Sequence, residues 1–308
     1  MCAWYRPLAL FCSSWLFAFS ALAGPHAEHV FIISLDGGKP AVMQESPMPV
    51  VSRLLAEGAH TWTARTIIPS KTLPSHVSML TGFSPNKHHV LWNDWIPTNG
   101  LVRVPTIFTE AKAADLSTAM FVGKEKFRHL LVPGTVDDFV FRSAKSEPIT
   151  KAVAGEKATT EGTVHAKFVT QAAAAYIKQK KPNLCFIHFT DCDDAGHDFG
   201  WGSKQQIQAF ANIDAAIGAI IKAIREAGIA GQSVVIITAD HGGHEKTHGL
   251  TTPEDMNIPW IVWGCGVKHG LTITAPVVTY DTAATALWLL GAPRPKNLDG
   301  FPVSSAFE

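Results

Sequence analysis

Between Ser233 and Gly249 the chain reads S-V-V-I-I-T-A-D-H-G-G-H-E-K-T-H-G, and this stretch restricts the fold more than any other. Four consecutive β-branched residues, Val234 to Ile237, predict a short strand buried on both faces, as in a parallel sheet. At its carboxyl end come Asp240 and His241, then two glycines, then His244 and His248. Open α/β sheets place their chemistry at that end of the strands. Carboxylate oxygen and imidazole nitrogen together suit a divalent transition metal such as zinc. The glycines allow the sharp bends that let neighbouring side chains converge. Taken alone, the same residues fit a polar loop with a surface histidine cluster equally well.

The rest of the chain repeats the alternation. Strands are predicted at His29 to Leu35, Thr61 to Ile68, Thr118 to Val122, Asn183 to Thr190 and Ile258 to Trp263. Helices are predicted at Pro49 to Glu57, from Pro74 to Thr81, Thr106 to Ala114, Val164 to Lys178 and Gln205 to Ala227, and at Asp281 to Leu290 with Asp281 as N-cap. Pro133 to Gly162 is charged, small and aperiodic, and reads as a surface excursion. The expected fold class is α/β, a three-layer αβα sandwich with a mostly parallel central sheet. No composition shift marks a linker, so 24–308 reads as one domain.

The first 23 residues stand apart. Arg6 gives a short basic region, Leu8 to Leu22 is apolar apart from small serines, and Ala21-Leu22-Ala23 forms a cleavage site ahead of Gly24. Residues 1–23 therefore read as a signal peptide, and the mature protein is expected to be exported, periplasmic or secreted. An uncleaved anchor is the competing reading, and the apolar run is short for it. No later segment reads as long and apolar enough to span a bilayer. Cys185, Cys192 and Cys265 remain after cleavage, and three cysteines make no disulfide framework. Lys+Arg and Asp+Glu number 26 each, so bulk charge points to no nucleic-acid partner.

Three predicted strands end in carboxylates with glycine or histidine beside them: Asp36, then Asp193 with His197, then Asp240 with His241 and, further on, His248. Singly, a strand-end aspartate is often a helix cap. Jointly they put three Asp and three His at one edge of one sheet, enough for two metals. Two ions ~3.5–4 Å apart form a clamp for displacement at phosphorus. Thr72, just before a Pro-initiated helix, lies where N–H groups and the helix dipole favour an anion, and could serve as nucleophile or as a plain N-cap.

The segments resemble the alkaline phosphatase superfamily and, within it, the type I phosphodiesterase/nucleotide pyrophosphatase branch. Ser70-Lys71-Thr72-Leu73-Pro74-Ser75-His76 and Leu80-Thr81-Gly82-Phe83-Ser84-Pro85 resemble its nucleophile block, although Ser75 stands where that branch has Asn. Asp193-Asp194-Ala195-Gly196-His197 resembles its D-x-x-G-H block and Asp240-His241-Gly242 its D-H-G block. The resemblance implies that Thr72 attacks phosphorus and that Asn93 hydrogen-bonds a phosphoryl oxygen. It implies two divalent ions, usually zinc, with manganese able to satisfy the same ligands. One ion would be held by Asp36, Asp240, His241 and Thr72. The other would be held by Asp193, His197 and a late histidine, His248 or its rival His244. The implied substrate is a small phosphate ester, a diester before a monoester. A relative that binds without turnover is the reading from another class. Lys124 and Lys126 follow a predicted strand; they are either a solvated loop or, pointing inward, the cations that a monoester dianion needs.

Overall fold

The computed structural model describes residues 27–141 and 165–308. The expected signal peptide, and most of the stretch read as a surface excursion, lie outside the described residues. Among the described residues one sheet has eight strands: β1 His29–Leu35, β2 Ala59–Arg65, β3 Thr118–Val122, β4 Asp138–Phe141, β5 Leu184–Phe189, β6 Ser233–Ala239, β7 Asn257–Gly264 and β8 Leu271–Thr272. Their order is β4-β3-β5-β1-β6-β7-β2-β8. Only β7 runs against its neighbours, β6 and β2; the other ladders are parallel.

Every residue of β1, β5 and β6 is buried, because helices cover both faces of the sheet. Alternate residues of β1 divide between the two layers. Val30 and Ile32 pack with Leu73, Val77 and Leu80 of the helix Thr72–Thr81 and with Leu287 of Asp281–Leu289. Phe31, Ile33 and Leu35 pack with Ile213, Ile217 and Ile220 of Lys204–Glu226 and with Val169 of His165–Lys180. This is the three-layer α/β sandwich that the alternation of elements predicted.

The register positions the chemistry. Leu35 pairs with Phe189 of β5 and with Ala239 of β6, so Asp36, Thr190 and Asp240 leave the sheet side by side.

Several expectations are corrected. The helix carrying Thr72 begins at Thr72 itself, after Lys71 in extended backbone, so Pro74 occupies its third position. A missing N–H is harmless there too, since the first four helical amides have no intrahelical acceptor. Asp193 does not end the strand but lies on the helix Asp191–Phe199. Tyr280, not Asp281, occupies the N-cap position of the helix Asp281–Leu289, without a side-chain capping bond; the Asp281 carboxylate instead accepts N–H groups of Val278 and Phe301. β4 lies inside the segment read as an excursion, and β2 ends at Arg65. By length and composition Lys204–Glu226 is apolar enough to cross a bilayer, contrary to expectation, but its apolar face lies against the sheet. Among the described residues Cys185, Cys192 and Cys265 are free.

Candidate metal centre

Asp36 leaves β1 and Asp240 and His241 leave β6, all fully buried. Their ligand atoms form one compact group. His241 Nδ1 donates to the carbonyl of Gly242 at 2.8 Å, which turns the Nε2 lone pair toward Asp36 Oδ1 at 3.4 Å and Asp240 Oδ2 at 3.3 Å. Asp240 Oδ1 is held by the amides of Gly37 and His241 at 3.1 and 3.0 Å, while its Oδ2 has no hydrogen-bond partner.

A second group comprises Asp193, His197 and His248. Asp193 and His197 are four residues apart on one helix, hence on one face. Each imidazole again donates Nδ1–H to a carbonyl, His197 to Lys246 and His248 to Ser70, both at 2.9 Å. Their Nε2 atoms face Asp193 Oδ1 at 3.3 and 3.8 Å. His248 stacks on His241 with ring centroids 3.7 Å apart, which places the two groups side by side. His244 is turned elsewhere, with Nδ1 on Asp255 at 2.7 Å. The structure thus brings His248, not His244, to the cluster.

Lys124 joins the two groups. Its Nζ lies 2.6 Å from Asp36 Oδ2 and 2.6 Å from Asp193 Oδ2. His188, on β5, donates Nε2–H to the same Asp36 oxygen at 3.0 Å. Each aspartate therefore has one oxygen anchored by protein and the other aimed into the cluster. Asp193 Oδ1, Asp240 Oδ2 and His241 Nε2 are all buried without a hydrogen-bond partner. Buried polar atoms left unpaired are expensive, and three converging ones match the donor set of a divalent metal. The carbonyl that fixes each imidazole tautomer is the support metal-binding histidines ordinarily have.

The electrostatics carry the same mark. Burial alone would raise the Asp36 carboxyl, but Lys124, His188 and His241 outweigh it and hold it well below the usual range. Burial and the charge of Asp36 push Asp240 well above that range. Burial opposes charge on His241, yet Asp240, Asp36 and Asp193 raise it to about 9, the mark of a field that favours positive charge at this point. Lys126 is half-buried, its ammonium lowered by burial and by Lys124. Lys124 thus points inward, while Lys126 lies in the 3-10 turn Glu125–Leu130.

Thr72, buried as the first residue of its helix, has Oγ1 3.5 Å from Asp36 Oδ1. Asn93 accepts the amide of Leu73 on Oδ1 at 2.8 Å, leaving both Nδ2 hydrogens free beside the start of that helix. Sequence reasoning missed three residues beneath the cluster. His76 is fully buried; its Nδ1 donates to the Thr72 carbonyl and its Nε2 accepts from Ser34, both at 2.7 Å. His188 is the second. Trp201 is the third: its indole donates to the Gly37 carbonyl, and a Cβ on Gly37, Gly196 or Gly243 would lie 3.1, 2.8 or 2.2 Å from its ring. Glycines from all three motifs thus form the slot for one indole. A polar residue inside an otherwise apolar strand, as in Phe186-Ile187-His188-Phe189, was the available signal for His188.

The fold is alkaline phosphatase-like. The family described as type I phosphodiesterase / nucleotide pyrophosphatase matches residues 30–251, and the chain belongs to that family. It is 24% identical over 226 residues to human ectonucleotide pyrophosphatase/phosphodiesterase family member 5, covering 71% of this chain and 45% of that protein. It is 21% identical over 232 residues to venom phosphodiesterase 2 of Crotalus adamanteus, covering 72% of this chain and 28% of that one. The chain spans less than half the length of these relatives. Among solved structures, an inactive Thr→Ala variant of murine ectonucleotide pyrophosphatase / phosphodiesterase 5 in complex with AMP aligns with TM-score 0.72 at 14% identity, covering 91% of this chain and 100% of that chain. A 2-O GAG sulfatase aligns at TM-score 0.69 and 16% identity, covering 92% of this chain and 74% of that chain.

Proposed function

We propose that this chain is an exported phosphoric ester hydrolase that loads two divalent metals, zinc before manganese, and cleaves small phosphodiesters through a covalent intermediate on Thr72. The observation that carries the reading is the convergence of unpaired Asp193 Oδ1, Asp240 Oδ2 and His241 Nε2 beside the Thr72 hydroxyl. Asp36, Asp240 and His241, with Thr72, would hold one ion, and Asp193, His197 and His248 the other. When bound, such ions supply Lewis acidity that lowers the pKa of a hydroxyl and neutralises charge on phosphoryl and leaving oxygens. Thr72 Oγ1 forms the new bond to phosphorus as the bond to the leaving alcohol breaks, and water then displaces Thr72 in the same sense. Asn93 Nδ2 donates to a non-bridging oxygen, a contact that strengthens as charge builds there. Support comes from family membership, from the relatives named phosphodiesterases, and from a murine relative whose Thr→Ala variant is named inactive and bound to AMP. Export rests on Leu8 to Leu22 and the Ala21-Leu22-Ala23 site.

Lys124 favours a second reading. Its ammonium lies inward, between two carboxylates, so it could also meet the extra charged oxygen of a monoester dianion. Both readings are tested by kcat/KM for matched nitrophenyl mono- and diesters. Diesters should be preferred, with Thr72→Ala losing about four orders of magnitude and Thr72→Ser retaining part of the rate. A monoester preference that collapses in Lys124→Ala makes the protein a phosphatase. Absence of turnover on every ester by metal-loaded protein makes it a binding relative.

A further inference from the structure

We propose that His129 is a positioning residue for the hydrolysis, holding the loop that presents Asn93 to the phosphoryl group. The inference rests on the proposed role of Asn93. His129 is fully buried in the 3-10 turn Glu125–Leu130, directly after Lys124. That turn is anchored beneath the metal cluster: Phe127, also fully buried, lies with its ring centroid 4.8 Å from that of His76 and 4.6 Å from that of His188.

The hydrogen bonds of the imidazole all go to one segment. Nδ1 is 2.6 Å from the carbonyl of Gly100, so it carries the proton. Nε2 is then a lone pair, and it receives the Ile96 amide at 3.1 Å and the Trp92 indole N–H at 3.3 Å. The Asp94 carbonyl is also near Nε2, at 3.2 Å, but two donors require an acceptor there. Trp92 and Trp95 pack on the ring, with centroids 5.6 and 4.5 Å away. Asn93 lies between these contacts, and its own fixed bond is the Leu73 amide at 2.8 Å. Residues 90–96 have no helix or strand of their own to hold them. A side chain that must place a donor within a fraction of an ångström needs such a support. His129 supplies it by tying residues 92, 96 and 100 to the end of β3.

The tautomer separates the two halves of the ring. His129→Gln keeps an acceptor near the Nε2 position, His129→Asn keeps a donor near Nδ1, and His129→Phe keeps neither. On the intact protein, hydrogen exchange across residues 91–100 should rise about tenfold in the Asn and Phe variants and less in Gln, with β3 unchanged. In turnover of a nitrophenyl diester, Asn93→Ala should lower kcat by about 10²-fold. His129→Asn and His129→Phe should lower kcat by about tenfold with KM within about twofold, His129→Gln should restore most of the rate, and the His129→Phe loss should vanish in the Asn93→Ala background. Losses that multiply in the double variant would overturn the proposal. So would wild-type exchange protection of 91–100 in His129→Asn while Asn93→Ala is impaired, a result that leaves the role of Asn93 standing. Wild-type turnover in Asn93→Ala would remove the reading of Asn93 and the positioning role with it.

Discussion

The two ligand groups look alike in composition and differ in what holds them. Asp36, Asp240 and His241 leave adjacent central strands and are wholly buried. Asp193 and His197 ride on a nine-residue helix outside the sheet, and the His197 side chain is 43% exposed. The first group has the rigidity of paired strands packed on both faces. The second relies on one helical turn, on carbonyls of Ser70 and Lys246, and on Lys124 bridging to Asp36. A buried site pays its desolvation in the fold and returns it when a cation arrives, whereas an exposed ligand can be replaced by water. The first site should therefore bind tightly and the second should exchange.

The largest expected effect follows from that contrast. His241→Ala should lower kcat/KM by about 10³-fold or more, and His197→Ala by on the order of 10²-fold with partial recovery at high metal concentration. Equal losses without recovery would break the asymmetry. Graded chelation sharpens it: of two bound equivalents, one should leave well before the other, read by elemental analysis beside activity. Release in a single step would make the sites equivalent, and full activity in stripped protein would end the two-metal reading.

Trp201 tests what the two groups share. A Cβ on Gly243 would come within 2.2 Å of the indole, so Gly243→Ala should cost about 1–3 kcal/mol in denaturant unfolding and lower affinity for both metals. Gly231→Ala, where a Cβ would meet nothing within 4 Å, is the control.

The last effect lies outside both groups. His88 accepts the Val90 amide on Nδ1 at 3.0 Å and bonds Ser78 through Nε2 at 2.9 Å. Burial, then the neighbouring His89, lower its pKa from 6.5 to about 4. The unfolded chain thus binds the proton first, and this contribution to stability is present above pH ~6.5 and lost as pH falls toward ~4. The loss should reach at most about 3 kcal/mol, and His88→Gln should flatten it in melts at pH 7 and pH 5. An unchanged pH dependence in the variant would assign the acid sensitivity to the ligand groups instead.

Much of the site was legible because its motifs are local. Asp240-His241, Asp193 with His197, and Thr72 before Leu73-Pro74 each carry their signal within a few residues. His76, His188, His129 and Trp201 were not, because each acts on a partner far along the chain: Ser34 for His76, Asp36 for His188, the 92–100 loop for His129, and Gly37 for Trp201. Lys124 could be named as a candidate, but a lysine after a strand reads the same whether it points to solvent or to two carboxylates.

The sequence by itself determined the alternation of elements, the buried parallel strands and the carboxylates, imidazoles and hydroxyl proposed for the site. Hydrophobic period and short-range motif are local properties, and they survive in a linear reading. Only the tertiary structure decided which histidine closes the second group, where Lys124 points, and which oxygen of each aspartate is left free. Those choices depend on the register of β1 against β5 and β6, which sets three distant chain segments level at one edge, and on packing that turns each side chain one way.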